Sequence, residues 1–172
     1  MRVLAIFALS FVACASAPKP APPVLGNAGG DPTGPHVLMA TIERTMCYGT
    51  CPAYKVSIYR DGAVEYAGDA YVKTKGAATG HISPDQVAEL DGLFAKAHYL
   101  DLDAAYTHAD MTDMPSVSTS YILGDKHHAV EHYFGDTKAP QELRVVEEGI
   151  DRVIGIEQWI GTQEERDALP RD

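Results

Sequence analysis

Positive charge is scarce in this 172-residue chain, which sets 14 lysines and arginines against 24 aspartates and glutamates for a formal net charge of −10. An acidic balance excludes non-specific nucleic-acid binding, which relies on neutralising phosphates with basic side chains. No stretch interleaves basic with aromatic residues in the way a nucleic-acid site would. A membrane-spanning segment is also missing. The apolar run over residues 3–13 reaches only roughly 16 Å as a helix, about half a bilayer core, and so reads as the h-region of a signal peptide behind the basic start Met1-Arg2. Gly76-x-x-x-Gly80 lacks the Gly-Lys-Ser/Thr ending of a phosphate loop. No serine, cysteine or histidine sits in a sequence context that supports nucleophilic catalysis.

Cysteine is sparse too, with three in the whole chain. Three leaves one unpaired, and in an exported protein that demands an explanation. Phe11-Val12-Ala13-Cys14 resembles a bacterial lipobox with phenylalanine in the first position. On that reading residues 1–13 are a signal peptide and Cys14 is the mature N-terminus, carrying palmitate or similar acyl chains. Lipidation removes Cys14 from the thiol count and leaves one pair in an oxidising compartment. Several acyl chains, at about 0.8 kcal/mol per buried CH2, hold a protein firmly at a membrane. The alternative is a plain secretory signal cut elsewhere, for example after Ala15-Ser16-Ala17. By resemblance to Gram-negative lipoproteins, Ala15 rather than aspartate after the cysteine implies the outer membrane. The expected location is therefore a lipid anchor there with the domain facing the periplasm. The mature part would carry 13 basic and 24 acidic residues, a net of −11. Anionic lipid repels such a surface, so the acyl chains would be the membrane contact. Residues 14–35, rich in Pro, Ala and Gly with no apolar periodicity, read as a tether.

The remaining pair, Cys47 and Cys51, is spaced C-x3-C. Residues four apart on a strand lie roughly 13 Å apart, beyond the ~7 Å Cα limit for a disulfide, so the segment must turn if the two are bonded. Gly49 and Pro52 are residues that turns use. A redox-active pair and half a zinc site are the alternatives, the latter needing two further ligands. Directly afterwards come two runs rich in Val, Ile and Tyr around Asp61-Gly62, a strong hairpin signal. A three-residue loop with Gly62 left-handed places Tyr54, Val56, Ile58, Val64 and Tyr66 on one face. Lys55, Ser57, Tyr59, Ala63, Glu65 and Ala67 fall on the other. A two-residue loop mixes these sets, so segregation favours the bulged register.

The segment from Cys47 to Tyr54, C-Y-G-T-C-P-A-Y, and the following V-S-I-Y-R-D-G-A-V-E-Y-A-G resemble an uncharacterised domain family of bacterial envelope proteins, a domain of unknown function. Its signature is C-x-G-x-C-P-x-Y before a hairpin. The resemblance continues through Thr112-Asp113-Met114-Pro115 to Trp159-Ile160-Gly161, covering roughly residues 37–161. It implies a fold and a compartment but no activity.

Residues 36–45 alternate as a strand leading into the cysteine turn. Residues 69–82 are strand-like but broken by Gly76 and Gly80. Ser83-Pro84-Asp85-Gln86 is a capping box that starts a helix with the stripe Val87, Leu90, Phe94 and Ala97, Leu93 beside it. The loop over residues 101–116 holds Asp101, Asp103, His108, Asp110 and Asp113. Of these, His108, Asp110 and Asp113 are candidate metal ligands, set against the local role of Asp and Thr as turn caps. Two runs around Gly124-Asp125 predict a second hairpin. There His127 and His128 point to opposite faces and His128 and His132 lie roughly 13 Å apart, which argues for sheet histidines rather than a zinc cluster. Pro140 opens a last helix with the stripe Leu143, Val146, Ile150, Val153 and Ile154, extended by Ile156, Trp159 and Ile160 to a stop at Gly161. Residues 162–172 read as a charged, frayed tail.

These elements predict one α+β domain over residues 36–161: an antiparallel sheet of five to six strands with two helices on one face. The opposite face is polar and open to solvent or a partner. Three functions fit. The first is a non-enzymatic, lipid-anchored envelope protein that binds a partner and needs no cofactor. The second is a thiol–disulfide protein using Cys47 and Cys51. The third is a metal-dependent enzyme centred on the Asp/His-rich loop.

Overall fold

The computed structural model describes residues 36–169. The expected signal peptide, Cys14 and the tether lie outside the described residues.

Alternation of apolar and polar residues builds the first half. Strand β1 (Leu38–Arg44) runs into the cysteine turn, and β2 (Ala53–Tyr59) and β3 (Ala63–Ala70) form the hairpin. Ile58 pairs with Val64 and Val56 with Tyr66, the bulged register that side-chain segregation predicts. Gly62 holds φ +88° and donates its N–H to the Tyr59 carbonyl; a Cβ there would lie 2.3 Å from the Ile82 carbonyl oxygen. Only glycine fits that turn. Tyr54, Val56, Ile58, Val64 and Tyr66 are all buried, as their shared face requires.

The strand-like stretch after the hairpin divides in two. Tyr71 adopts φ +51° and breaks the chain, so β4 (Gly76–His81) returns as a separate antiparallel strand on β3. Strand β5 (Ala105–Tyr106) is a two-residue parallel pairing inside the Asp-rich loop, too short for alternation to show. Strands β6 (Ser116–Leu123) and β7 (Lys126–Tyr133) make the second hairpin around a left-handed Gly124. The sheet thus has seven strands rather than five or six, in the order β4-β3-β2-β1-β6-β7-β5. Early strand β1 sits near its centre, between β2 and β6.

Helix α1 (Pro84–Lys96) begins with the expected capping box, Ser83 and Gln86 each serving the other's backbone N–H. Helix α2 (Gln141–Ile154) starts after Pro140 and buries Leu143, Val146, Ile150, Val153 and Ile154. It stops six residues earlier than apolar periodicity suggests, because Gly155 takes φ +64°. A left-handed glycine ends a helix whether or not apolar residues follow. Ile156, Trp159 and Ile160 are still buried, carried by the one-turn α3 (Glu157–Ile160). Where a frayed tail was expected, Thr162 and Glu165 form a second capping box that opens α4 (Gln163–Asp167).

The core lies between the sheet and the two long helices. Phe94 of α1 stacks on Tyr121 of β6 at 4.1 Å, and Trp159 stacks on Tyr66 of β3 at 5.0 Å. Aromatic pairs at such spacing add to the gain from area burial. The opposite sheet face carries no helix among the described residues. It presents small and polar side chains, among them Thr41 and Ser120, whose hydroxyls meet at 2.6 Å.

Candidate functional site

One end of the sheet gathers the residues singled out in the sequence. Cys47 and Cys51 are joined by a disulfide with Cα atoms 5.6 Å apart, so the segment is the turn that their spacing requires. That turn is braced on two sides. The Tyr48 N–H donates to the Asp113 carbonyl at 3.2 Å, and the Thr45 N–H donates to the Ser116 carbonyl at 3.0 Å. On the other side Thr50 Oγ1 donates to Asp167 of α4 at 2.9 Å. The cysteine turn and the Asp-rich loop are therefore one hydrogen-bonded surface.

Large apolar side chains stand in solvent on this surface. Tyr48 is 92% exposed, Met46 54%, Met111 47% and Met114 37%. Below Met46 lies an open depression of about 440 Å³, lined by residues that include Glu43, Lys55, Ala67 and Asp69. Lys55 and Glu43 form an ion pair across its floor at 2.9 Å.

The carboxylates of the Asp-rich loop act as fasteners. Asp110 accepts from the hydroxyl and the N–H of Thr137, at 2.6 and 3.2 Å. Those bonds hold its pKa below the usual carboxylate range. Asp136 accepts the N–H groups of His108 and Lys138, at 2.9 and 2.8 Å, and its pKa is lowered in the same way. Local hydrogen bonds to the charged form are the cause in both. His108 Nε2 comes within 3.4 Å of Asp110. Asp113 does not join them, because its carboxylate accepts from Thr112 and its backbone is turned to φ +64° to hold Tyr48. Among the described residues no group of three or more His, Cys, Asp or Glu side chains could hold a metal ion. The three candidate ligands thus supply one pair and a separate turn residue.

Two polar clamps fix the helices to the sheet, one behind this end and one at the far end of the strands, beside the first hairpin turn. Arg44 Nε donates to Asp151 of α2 at 2.9 Å and to the Tyr54 hydroxyl at 3.0 Å, and Tyr54 donates to Asp151 at 2.6 Å. Burial alone would lower the Arg44 pKa, but Asp151 and Tyr54 outweigh it and the net direction is up. Burial pushes the Asp151 carboxyl up against the opposing pull of Arg44 and the Tyr54 hydrogen bond. The same three residue types recur at α1. Arg60 donates to both oxygens of Asp91, at 2.7 and 2.8 Å, and to the Ile122 carbonyl; Tyr121 donates to Asp91 at 2.6 Å. Between α2 and β7, fully buried His132 and Glu147 meet at 2.8 Å through Nδ1, while His132 Nε2 has no partner among the described residues.

The three histidines of β7 are sheet residues. His127 is exposed, whereas His128 and His132 face inward. The clamps were missed in the sequence, although one signal was there. Arg44 continues the inward parity of Ala40 and Ile42, and a cation on a buried face demands an anion opposite.

A family model for a domain of unknown function, DUF6438, matches residues 39–154. The chain belongs to the DUF6438 family. The match runs from the first residues of β1 to the last residue of α2. The family segment thus contains the cysteine turn, the Asp-rich loop and both clamps. It leaves α3 and α4 beyond its end. No curated protein matches the chain.

Proposed function

We propose that this chain is a lipid-anchored protein of the bacterial envelope that acts as a binding domain rather than an enzyme. Its contact surface is the disulfide turn with the Asp-rich loop. The observation that carries this reading is Tyr48, 92% exposed on a turn closed by a disulfide and bonded to the next loop. Apolar side chains held in water on a braced loop lose little conformational freedom when a partner covers them. Tyrosine and methionine are suited to such contacts, the first as a rigid anchor and the second as an adaptable filler. The expected envelope location rests on Phe11-Val12-Ala13-Cys14 and on a single remaining cysteine pair.

Two experiments test it. Metabolic labelling with a palmitate analogue should mark the wild-type chain and leave Cys14→Ser unmarked. Absence of label on both removes the anchor from the proposal. A photoreactive residue at position 48, activated in intact cells, should give a discrete crosslinked species that the same residue at position 127 does not give. Equal capture from both positions would reject the contact surface.

A thiol–disulfide role is the second reading, favoured by the half-buried position of both cysteines at a surface turn. A reduction potential in the range of known oxidoreductases would support it, and one below about −300 mV would leave the disulfide structural.

A further inference from the structure

The two edges of the sheet are treated differently. At one end, β5 covers part of β7, and the rest of β7 carries Lys126, His127 and His128. Lysine and other charged groups on an edge strand discourage pairing with another chain. At the other end β4 closes the strand order, and among the described residues no strand pairs with its outer side. It is six residues long, Gly-Ala-Ala-Thr-Gly-His, with no proline and no lysine.

Register shows which backbone groups are free there. The Ile82 N–H donates to the Gly62 carbonyl at 2.9 Å, so residue 82 and its alternates 80, 78 and 76 turn their backbone groups toward β3. Ala77, Thr79 and His81 therefore direct their N–H and C=O groups outward, and all three are exposed. The unpaired groups are centred on Thr79, with one such residue on each side.

We infer that β4 is a strand-addition site whose occupant is β4 of a second copy, running antiparallel about a two-fold axis at Thr79. This follows from the edge and not from the contact surface proposed above. In that register Thr79 meets Thr79 of the other copy, and Ala77 meets His81 in both directions. Each of these pairs exchanges two backbone hydrogen bonds. Opposed threonines are a favourable cross-strand pair, and no like charges are placed opposite each other. Of the side chains at the join, His81 is the large one, and it faces the small Ala77 of the other copy. A chain of net charge −10 repels its copy at long range. Salt should therefore strengthen the association rather than weaken it.

The test uses the full chain in a Cys14→Ser background, which removes the thiol outside the Cys47–Cys51 bond. Under mild oxidation Thr79→Cys should give a covalent homodimer. Cα atoms of a hydrogen-bonded antiparallel pair lie about 5.5 Å apart, within disulfide range. Ala77→Cys alone should give none, whereas Ala77→Cys mixed with His81→Cys should give the mixed dimer. Thr79→Lys puts like charges on the axis and should weaken self-association by roughly tenfold or more in sedimentation. A monomer at every concentration with no Thr79 crosslink overturns the inference. So does a self-link through Ala77, or a Thr79 link to a different polypeptide.

Discussion

Removing one partner of the Arg44–Asp151 clamp should cost far more than removing both. The two side chains retain 14% and 17% exposure and lie 2.7 Å apart. Asp151→Asn removes the opposing charge and leaves the guanidinium under α2 among neutral groups, the new amide, the Tyr54 hydroxyl and the Glu147 carbonyl, the last at 3.2 Å. Stranding one charge of a fully buried pair costs about 3–5 kcal/mol. The residual exposure here places the expected loss at the lower end, about 3 kcal/mol. Arg44→Met together with Asp151→Leu removes both charges and supplies apolar volume, so the double variant should lie within about 1 kcal/mol of wild type. The assay is urea unfolding of Asp151→Asn and of the four corners of the cycle: wild type, Arg44→Met, Asp151→Leu and the double variant. With a slope near 2 kcal/mol/M, a 3 kcal/mol loss moves the midpoint by about 1.5 M. The cycle should show strong coupling of the two sites. A single-variant loss under about 1 kcal/mol with additive effects would mean that solvent screens the pair as it does a surface ion pair and that it does not clamp α2.

Three further outcomes follow from the packing. A Cβ at residue 80 would lie 2.9 Å from Trp159, so Gly80→Val should displace that ring and cost about 1–3 kcal/mol. Because the chain has one tryptophan, its fluorescence reports the displacement directly. Burial raises Tyr66, Tyr99 and Tyr121 from 10.0 to about 12. Their contribution to stability is complete below the free-tyrosine value and is lost as pH rises from about 10 through about 12, so tyrosinate absorbance and loss of circular dichroism should rise together there. Reduction of Cys47–Cys51 should lower stability by about 2 kcal/mol, because the loop it closes is short. Hydrogen exchange should then quicken around Tyr48 and stay slow in β1 and β2.

Much of the fold was legible because local rules and tertiary packing agree along most of the chain. The bulged hairpin at Gly62, the Ser83 capping box and the α2 stripe each rest on residues within one turn or one strand. Disagreement arose where a single backbone angle overrides a side-chain pattern. Gly155 ends α2 although Ile156, Trp159 and Ile160 continue its apolar theme, and Tyr71 divides what reads as one long strand. Strand β5 was invisible because two residues carry no period. At the candidate site, the cysteine turn could be deduced from spacing alone. Its bond to the Asp113 carbonyl could not, since it joins residues far apart in sequence. The clamps are long-range for the same reason: Arg44 and Asp151 are separated by 107 positions, and only their unexpected parity hinted at them.

The central place of β1 has a kinetic consequence. Its partner across one edge, β2, follows within a few residues, but across the other edge Thr41 waits for Ser120, 79 positions later. As the chain is delivered N-terminus first, the four-strand meander from β1 to β4 can assemble first, with one flank of β1 bare until β6 arrives. That interval, rather than any weakness in the finished sheet, is when the nascent chain is most open to pairing with the wrong strand.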